Sequence, residues 1–183
     1  MRVFERCGAF HKGHFKLSSG LHSEYYLQCA LVLADPKTAA KLCKKLADKF
    51  RGKKIDTVIG PAIGGITVAY EVARSLGAKG IFSEREEGKM TLRRGFKLER
   101  GEKVLAIEDV TTTGGSAKEV VELAKSRGAK VVGVGAIIDR SGGKAKFGVP
   151  FKALAELDIK TFQPQDCPLC KAGKPITKPG SRK

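Results

Sequence analysis

The chain has 183 residues, with 35 Lys and Arg against 19 Asp and Glu, for a formal net charge of +16. That length suits one domain with a real core, and no apolar run reaches the roughly 18 residues a membrane span needs. The first residues, Met1-Arg2-Val3-Phe4-Glu5-Arg6, lack a signal-peptide apolar core, and five unevenly spaced cysteines do not make a disulfide framework, so the protein is expected to be cytoplasmic.

Before residue 35, His11 and His14 have no acid or nucleophile at motif spacing and are assigned surface or packing roles; Cys7 and Cys29 have no partner pattern. Asp35-Pro36 is a helix start, an N-cap residue followed by proline at the first helical position. Ala39, Leu42, Cys43, Leu46, Ala47 and Phe50 then recur on one helical face, which places Cys43 in the core. Residues 56–59 read as a short buried strand, 60–65 as a glycine-rich turn, and 66–76 as a helix ended by Gly77. The next strand is 80–83. The charged, glycine-bracketed stretch 84–95 reads as a mobile loop or an antiparallel hairpin. Strands follow at 103–107 and 131–138, with a helix at 117–127 between them. Residues 142–149 read as a surface loop, and from about 163 the composition shifts to Pro, Gly, Lys and Cys, a tail without periodicity.

Strands alternating with helices predict an α/β fold, a mainly parallel sheet with helices on both faces. Ligands of such sheets bind beyond the C-terminal strand ends. The loops 60–65, 83–94, 108–116 and 139–141 all fall there.

The most informative of these loops is Glu108-Asp109-Val110-Thr111-Thr112-Thr113-Gly114-Gly115-Ser116. Glycines let backbone N–H groups converge on an anion, and the following helix N-terminus adds positive potential, so the turn is a phosphate cup. The two acids would repel phosphate. They suit sugar hydroxyls, which donate to carboxylates, or a bound Mg²⁺. Together these features indicate a sugar phosphate. Ser116 and Glu119 also fit an S-x-x-E capping box, which needs no ligand but leaves the threonines, glycines and acids unexplained. There is no P-loop, and Gly133-Val134-Gly135 lacks the third glycine of a dinucleotide fingerprint.

The cup resembles the phosphoribosyl-diphosphate (PRPP) signature of the type I phosphoribosyltransferases. The segment His14-Phe15-Lys16-Leu17-Ser18-Ser19-Gly20-Leu21-His22-Ser23-Glu24-Tyr25-Tyr26 is similar to the N-terminal hood of the orotate phosphoribosyltransferases. Glu84-Arg85-Glu86, Leu92-Arg93-Arg94-Gly95-Phe96, and Cys167-Pro168-Leu169-Cys170 with Lys178-Pro179-Gly180-Ser181-Arg182 resemble one bacterial and archaeal branch of that family.

The resemblance implies the type I phosphoribosyltransferase fold in one domain over 1–183: a hood at about 1–35, a core at about 36–162 and a tail at about 163–183. It implies transfer of ribose 5-phosphate from PRPP to orotate, giving orotidine 5′-monophosphate and pyrophosphate in pyrimidine biosynthesis. Mg²⁺ would be carried mainly by PRPP, with no dedicated protein metal site. By the same resemblance Glu108 and Asp109 hold the ribose hydroxyls, and Val110, Thr111, Thr112, Thr113, Gly114, Gly115 and Ser116 complete the PRPP site. Thr112, Arg140, Tyr25 and Tyr26 serve orotate, Arg140 pairing with its carboxylate. Pro61, Ala62, Gly64 and Gly65 form the pyrophosphate loop. Arg85 and Lys89 are the catalytic cations, on a loop that reaches the neighbouring subunit of a homodimer.

Two positions depart from the family pattern. Gly64 or Gly65 stands where many members carry a lysine, and Glu87-Gly88-Lys89-Met90 lacks the family's loop histidine. Lys89 replaces the loop lysine if the register shifts by one; Arg93 and Arg94 are the other candidates. His22 falls where others have lysine, as a pyrophosphate contact or a surface imidazole. Cys167 and Cys170 have metal-ligand spacing, but no second C-x-x-C completes a four-ligand site. A tail pair without metal is expected, the alternatives being a disulfide or a site shared by two chains.

Two other functions compete: transfer to a different base, and a PRPP-fold regulator that binds nucleic acid. The hood argues against a purine base. The chain has no spare length for an added helix-turn-helix, which argues against a nucleic-acid partner.

Overall fold

In the computed structural model, residues 2–17 and 19–179 are described; Ser18 of the hood motif and Gly180, Ser181 and Arg182 of the C-terminal motif lie outside them. The elements in chain order are α1 (Arg2–Arg6), β1 (Phe10–Lys16), β2 (His22–Leu27), α2 (Cys29–Leu33), α3 (Pro36–Asp48), β3 (Thr57–Pro61), α4 (Gly64–Leu76), β4 (Lys79–Glu86), β5 (Lys89–Thr91), β6 (Lys103–Thr111), α5 (Gly115–Ser126), β7 (Lys130–Asp139), β8 (Phe151–Glu156) and β9 (Thr161–Phe162), then a 3-10 turn (Pro164–Asp166) and α6 (Pro168–Lys171). They gather into two compact units, residues 33–157 and residues 1–32 with 158–183.

The larger unit is built on a six-stranded sheet in the order β5-β4-β3-β6-β7-β8, parallel except for the edge strand β5. Local chemistry sets its helices. Asp35 caps α3, its carboxylate accepting from the Lys37 and Thr38 N–H groups at 3.3 and 3.1 Å, worth about 1 kcal/mol. Most of the predicted stripe is buried: Ala39, Cys43, Leu46 and Ala47 on α3 and Phe50 just beyond it, with Leu42 half-buried at its edge. Gly77, at φ 65°, ends α4 in the left-handed conformation.

Side chains alternate across β6. Val104 and Ala106 join Ile59, Ile81 and Val134 in a cluster with Ala117, Val120, Val121 and Ala124 of α5. Ile107 faces the other way, toward Phe50 and β7. A Cβ on Gly135 would lie 2.8 Å from Ile107 Cδ1, and one on Gly133 2.9 Å from Phe50 Cε1. The Gly133-Val134-Gly135 run is therefore a packing feature, in which any larger residue would overpack the core by about 1–3 kcal/mol.

Strands β6 and β7 extend past the predicted ends, to Thr111 and Asp139. Parallel pairing continues through Val110↔Ile138 and Thr111↔Asp139, so polar residues remain in the ladder after the apolar run ends. Of the two readings for 84–95, the hairpin forms: β4 and β5 pair antiparallel around Glu87 (φ 50°) and Gly88 (φ 80°). Strand β8 was not anticipated from the sequence.

In the smaller unit β1, β2 and β9 form an antiparallel sheet. The tail is ordered against it. Thr177 N–H donates to His14 carbonyl at 2.8 Å, and Lys16 N–H donates to Thr177 carbonyl at 2.9 Å. No helix among the described residues is long and apolar enough to cross a membrane.

Candidate active site

The strand ends of the larger unit position the cup. Glu108, Val110, Thr111, Thr112, Thr113, Gly114, Gly115 and Ser116 line one cleft of about 60 Å³. Gly114 turns the chain at φ 79° and begins α5, whose N-terminus has no side-chain cap. The capping box read from Ser116 and Glu119 is thus not formed: Gly114 is the cap, and Glu119 instead accepts from Arg85. No carboxylate caps this helix start, and the one side-chain acceptor near it is Thr113 Oγ1, 3.4 Å from the Gly115 N–H, which leaves the end open to an anion. Phe147 and Ala145 pack beneath Gly114, where a Cβ would meet them at 3.0 and 3.2 Å. The loop read from sequence as mere surface therefore supports the cup.

The acidic pair divides into two environments. Glu108 is buried, and its pKa is pushed up to about 9, first by burial and then by the Asp109 charge. It is a neutral acid at pH 7. Asp109 is half-buried, and its Oδ1 accepts from the Val110 N–H at 2.8 Å. Its other oxygen, Oδ2, would lie 2.6 Å from a Cβ on Gly64, and a Cβ on Gly65 would lie 2.7 Å from Pro61 Cδ. Neither glycine of the predicted pyrophosphate loop has room for a side chain. The loop is pinned to β4 by Ala62 N–H donating to Ser83 carbonyl at 2.7 Å, and its Ala62–Ile63 peptide is cis.

Two buried hydroxyls at these strand ends, Ser83 Oγ and Thr111 Oγ1, have no hydrogen-bond partner among the described residues. Sequence reasoning had no signal for Ser83, because only the parallel register sets it beside Pro61. Arg140 follows β7, with its N–H donating to Thr111 carbonyl at 2.7 Å. Asp139, buried between them, accepts from the Ser141 N–H at 2.7 Å.

The hairpin cations differ in their engagement. Arg85 bridges to Glu119 of α5, with Nη1 2.6 Å from Oε2. Arg93 lies 3.3 Å from Glu86. Arg94 forks onto Glu84 at 2.7 and 2.8 Å, a pairing that lowers the Glu84 pKa. Lys89 is exposed and in no salt bridge among the described residues.

In the smaller unit Tyr25 stacks on Phe10, ring centroids 5.1 Å apart, and Tyr26 packs on Phe15 and donates to Gln28 Oε1 at 2.6 Å. Neighbours on a strand point to opposite faces, so the two tyrosines do not share one surface. His14 and His22 are not surface imidazoles: they are 4% and 6% exposed and lie together. Burial lowers the His22 pKa, with His14 and Lys16 adding to it. His22 is thus enclosed among His14 and the tail cysteines rather than presented as an open surface group.

The family model of the Phosphoribosyl transferase domain matches residues 32–162. The orotate phosphoribosyltransferase of Caldanaerobacter subterraneus subsp. tengcongensis is 56% identical over 183 residues, covering 100% of this chain and 96% of that protein. That of Thermoanaerobacter sp. strain X514 has the same identity and coverage. The crystal structure of orotate phosphoribosyltransferase from Aeropyrum pernix superposes with a TM-score of 0.68 at 28% identity, covering 85% of this chain and 92% of that one. With the PRPP-type cup at the strand ends and a match that runs the length of the chain, this protein belongs to the orotate phosphoribosyltransferase family.

Proposed function

We propose that the chain transfers the ribose 5-phosphate group of PRPP to orotate, releasing pyrophosphate. The observation that carries this reading is the uncapped, glycine-turned start of α5 beside Glu108 and Asp109, in a chain alike along its whole length to proteins named for that reaction. Thr111 to Ser116 cradle the 5′-phosphate on backbone N–H groups and hydroxyls. Asp109 accepts from a ribose hydroxyl. Glu108, neutral at pH 7, both donates to and accepts from the other without adding charge beside phosphate.

Pro61, Ala62, Gly64 and Gly65 admit the pyrophosphate to close backbone approach. Their lack of side chains leaves the counter-charge to other groups. The oxygen-rich cup suits Mg²⁺, a hard cation that carries most of its ligands on PRPP and water. When bound it neutralises charge on the departing pyrophosphate. Lys89 and Arg85 supply further positive charge to the leaving group. Arg140 takes the orotate carboxylate, as a planar guanidinium does in fork geometry, and Thr112 lies near the ring. Resemblance assigns Tyr25 and Tyr26 to orotate, and because they lie on opposite faces of β2 only one of them can pack on the ring. We read the protein as cytoplasmic and, by resemblance, as a homodimer; sedimentation velocity tests the dimer.

The deciding assay follows loss of orotate absorbance with PRPP and Mg²⁺, beside uracil, adenine, guanine and hypoxanthine. Turnover of orotate alone is expected. Turnover of another base would keep the cup and overturn the base assignment.

A further inference from the structure

The C-x-x-C pair of the tail has the partners that its sequence context did not supply. His14 of β1, His22 of β2, Cys167 and Cys170 bring one ligand atom each to a single point, all within 4.8 Å of one another. His14 Nε2 is 3.1 Å from His22 Nδ1, 3.5 Å from Cys167 Sγ and 3.7 Å from Cys170 Sγ; Cys170 Sγ is 3.3 Å from His22 Nδ1. In a tetrahedral zinc site, bonds of about 2.0–2.1 Å to nitrogen and 2.3 Å to sulfur put ligand atoms roughly 3.3–3.8 Å apart. Three of these four distances fall in that range, the His14–His22 pair is slightly closer, and all six pairs lie within 4.8 Å, so small side-chain movements complete the tetrahedron. We propose that this cluster is a structural zinc site, Cys₂His₂, which ties the C-terminal tail to the hood sheet.

Three further observations bear on it. His14 Nδ1 lies 2.9 Å from the Lys174 carbonyl, which only accepts, so the ring proton sits on Nδ1 and the Nε2 lone pair faces the cluster. An imidazole fixed in this way by a backbone carbonyl is the usual support of a zinc ligand. His14, His22 and Cys167 are buried and Cys170 closes the outer side, so all four ligand positions are filled by protein, as in structural rather than catalytic zinc sites. Two thiolates and two neutral imidazoles balance Zn²⁺ to zero net charge, so burial carries little electrostatic cost. The mixed thiolate and imidazole set favours zinc over the hard Mg²⁺. The site is made from the smaller unit alone and does not depend on the PRPP reading.

The test is zinc content of the full-length protein, purified without a histidine tag and under reductant, by elemental analysis. About one zinc per chain is expected, kept by Asp109→Asn and lost by Cys170→Ser and His22→Gln. Because those variants can misfold, wild-type protein is also exchanged with Co²⁺. Intense visible d–d bands and a thiolate-to-cobalt charge-transfer band are expected, with a lower thermal midpoint after chelation. Wild-type protein that takes up no zinc or cobalt would overturn the proposal. So would an intact mass short by two hydrogens in metal-free protein purified without reductant, if reduction then fails to restore metal uptake.

Discussion

The carboxylate of Asp109 rests against the backbone of Gly64: a Cβ at that position would sit 2.6 Å from Oδ2. The end of β6 and the start of α4 are thus fitted to each other through a residue with no side chain. Asp109 cannot swing freely away, because its Oδ1 holds the Val110 N–H. Gly64→Ala is expected to displace the carboxylate and raise the PRPP KM about tenfold, equivalent to about 1.4 kcal/mol, with a smaller loss of stability. Steady-state kinetics with varied PRPP and a melting curve check this; an unchanged KM would separate the glycine from the ribose site.

Asp109→Asn keeps the shape and removes the charge. Charge-assisted hydrogen bonds contribute about 1.5–3 kcal/mol, so PRPP affinity should fall by about tenfold or more. Titration calorimetry with PRPP and Mg²⁺ reads it directly. Unaltered affinity would count against the ribose assignment.

Glu108 has a pH signature. Its pKa is 4.5 ordinarily and about 9 in the fold, so between those values the folded chain holds a proton that the unfolded chain releases. Stability from this group is complete below pH 4.5 and is lost as pH rises toward 9. At pH 7 the cost of this mismatch is on the order of 3 kcal/mol. Glu108→Gln should therefore raise the thermal midpoint at pH 7 to 9, with the gain shrinking as pH falls toward 4.5, while PRPP binding weakens. A gain independent of pH would show that Glu108 is not protonated in the fold.

Arg85 is held by Glu119 and by the Gly88 carbonyl at 3.1 Å. If its guanidinium serves the leaving group, Arg85→Ala should lower kcat by about 10²-fold, the loss of one electrostatic donor. Glu119→Gln should change kcat far less, since it frees the cation. Equal losses in the two variants would mean that the salt bridge matters only for holding the hairpin.

Much of this molecule could be read from the chain alone because its signals are local. Asp35-Pro36 starts α3 and Gly77 ends α4 through backbone chemistry that needs no distant partner. The cup is also one contiguous run, so its glycines and acids were visible together. The alternation of strand and helix then placed the cup at the strand ends, since a parallel sheet leaves few other arrangements. The hood strands were less legible: β1, Phe10 to Lys16, mixes histidine, lysine and glycine with aromatics, and its pairing partner lies across a turn.

What only the tertiary structure decided were relationships between segments far apart in sequence. Glu119 looked like half of a capping box, and the hairpin that carries Arg85 claimed it. Glu108 and Asp109 looked equivalent, and burial made one a neutral acid while the other stayed against Gly64. His14 read as a surface or packing residue, His22 as a pyrophosphate contact or a surface imidazole, and Cys167 and Cys170 as a tail pair without metal. Sheet pairing of β1 with β2, and of Thr177 with β1, brings the four together across some 150 residues of chain. Capping, turn and periodic signals act over a few residues, whereas burial, proton affinity and ligand geometry depend on neighbours that only the folded chain supplies.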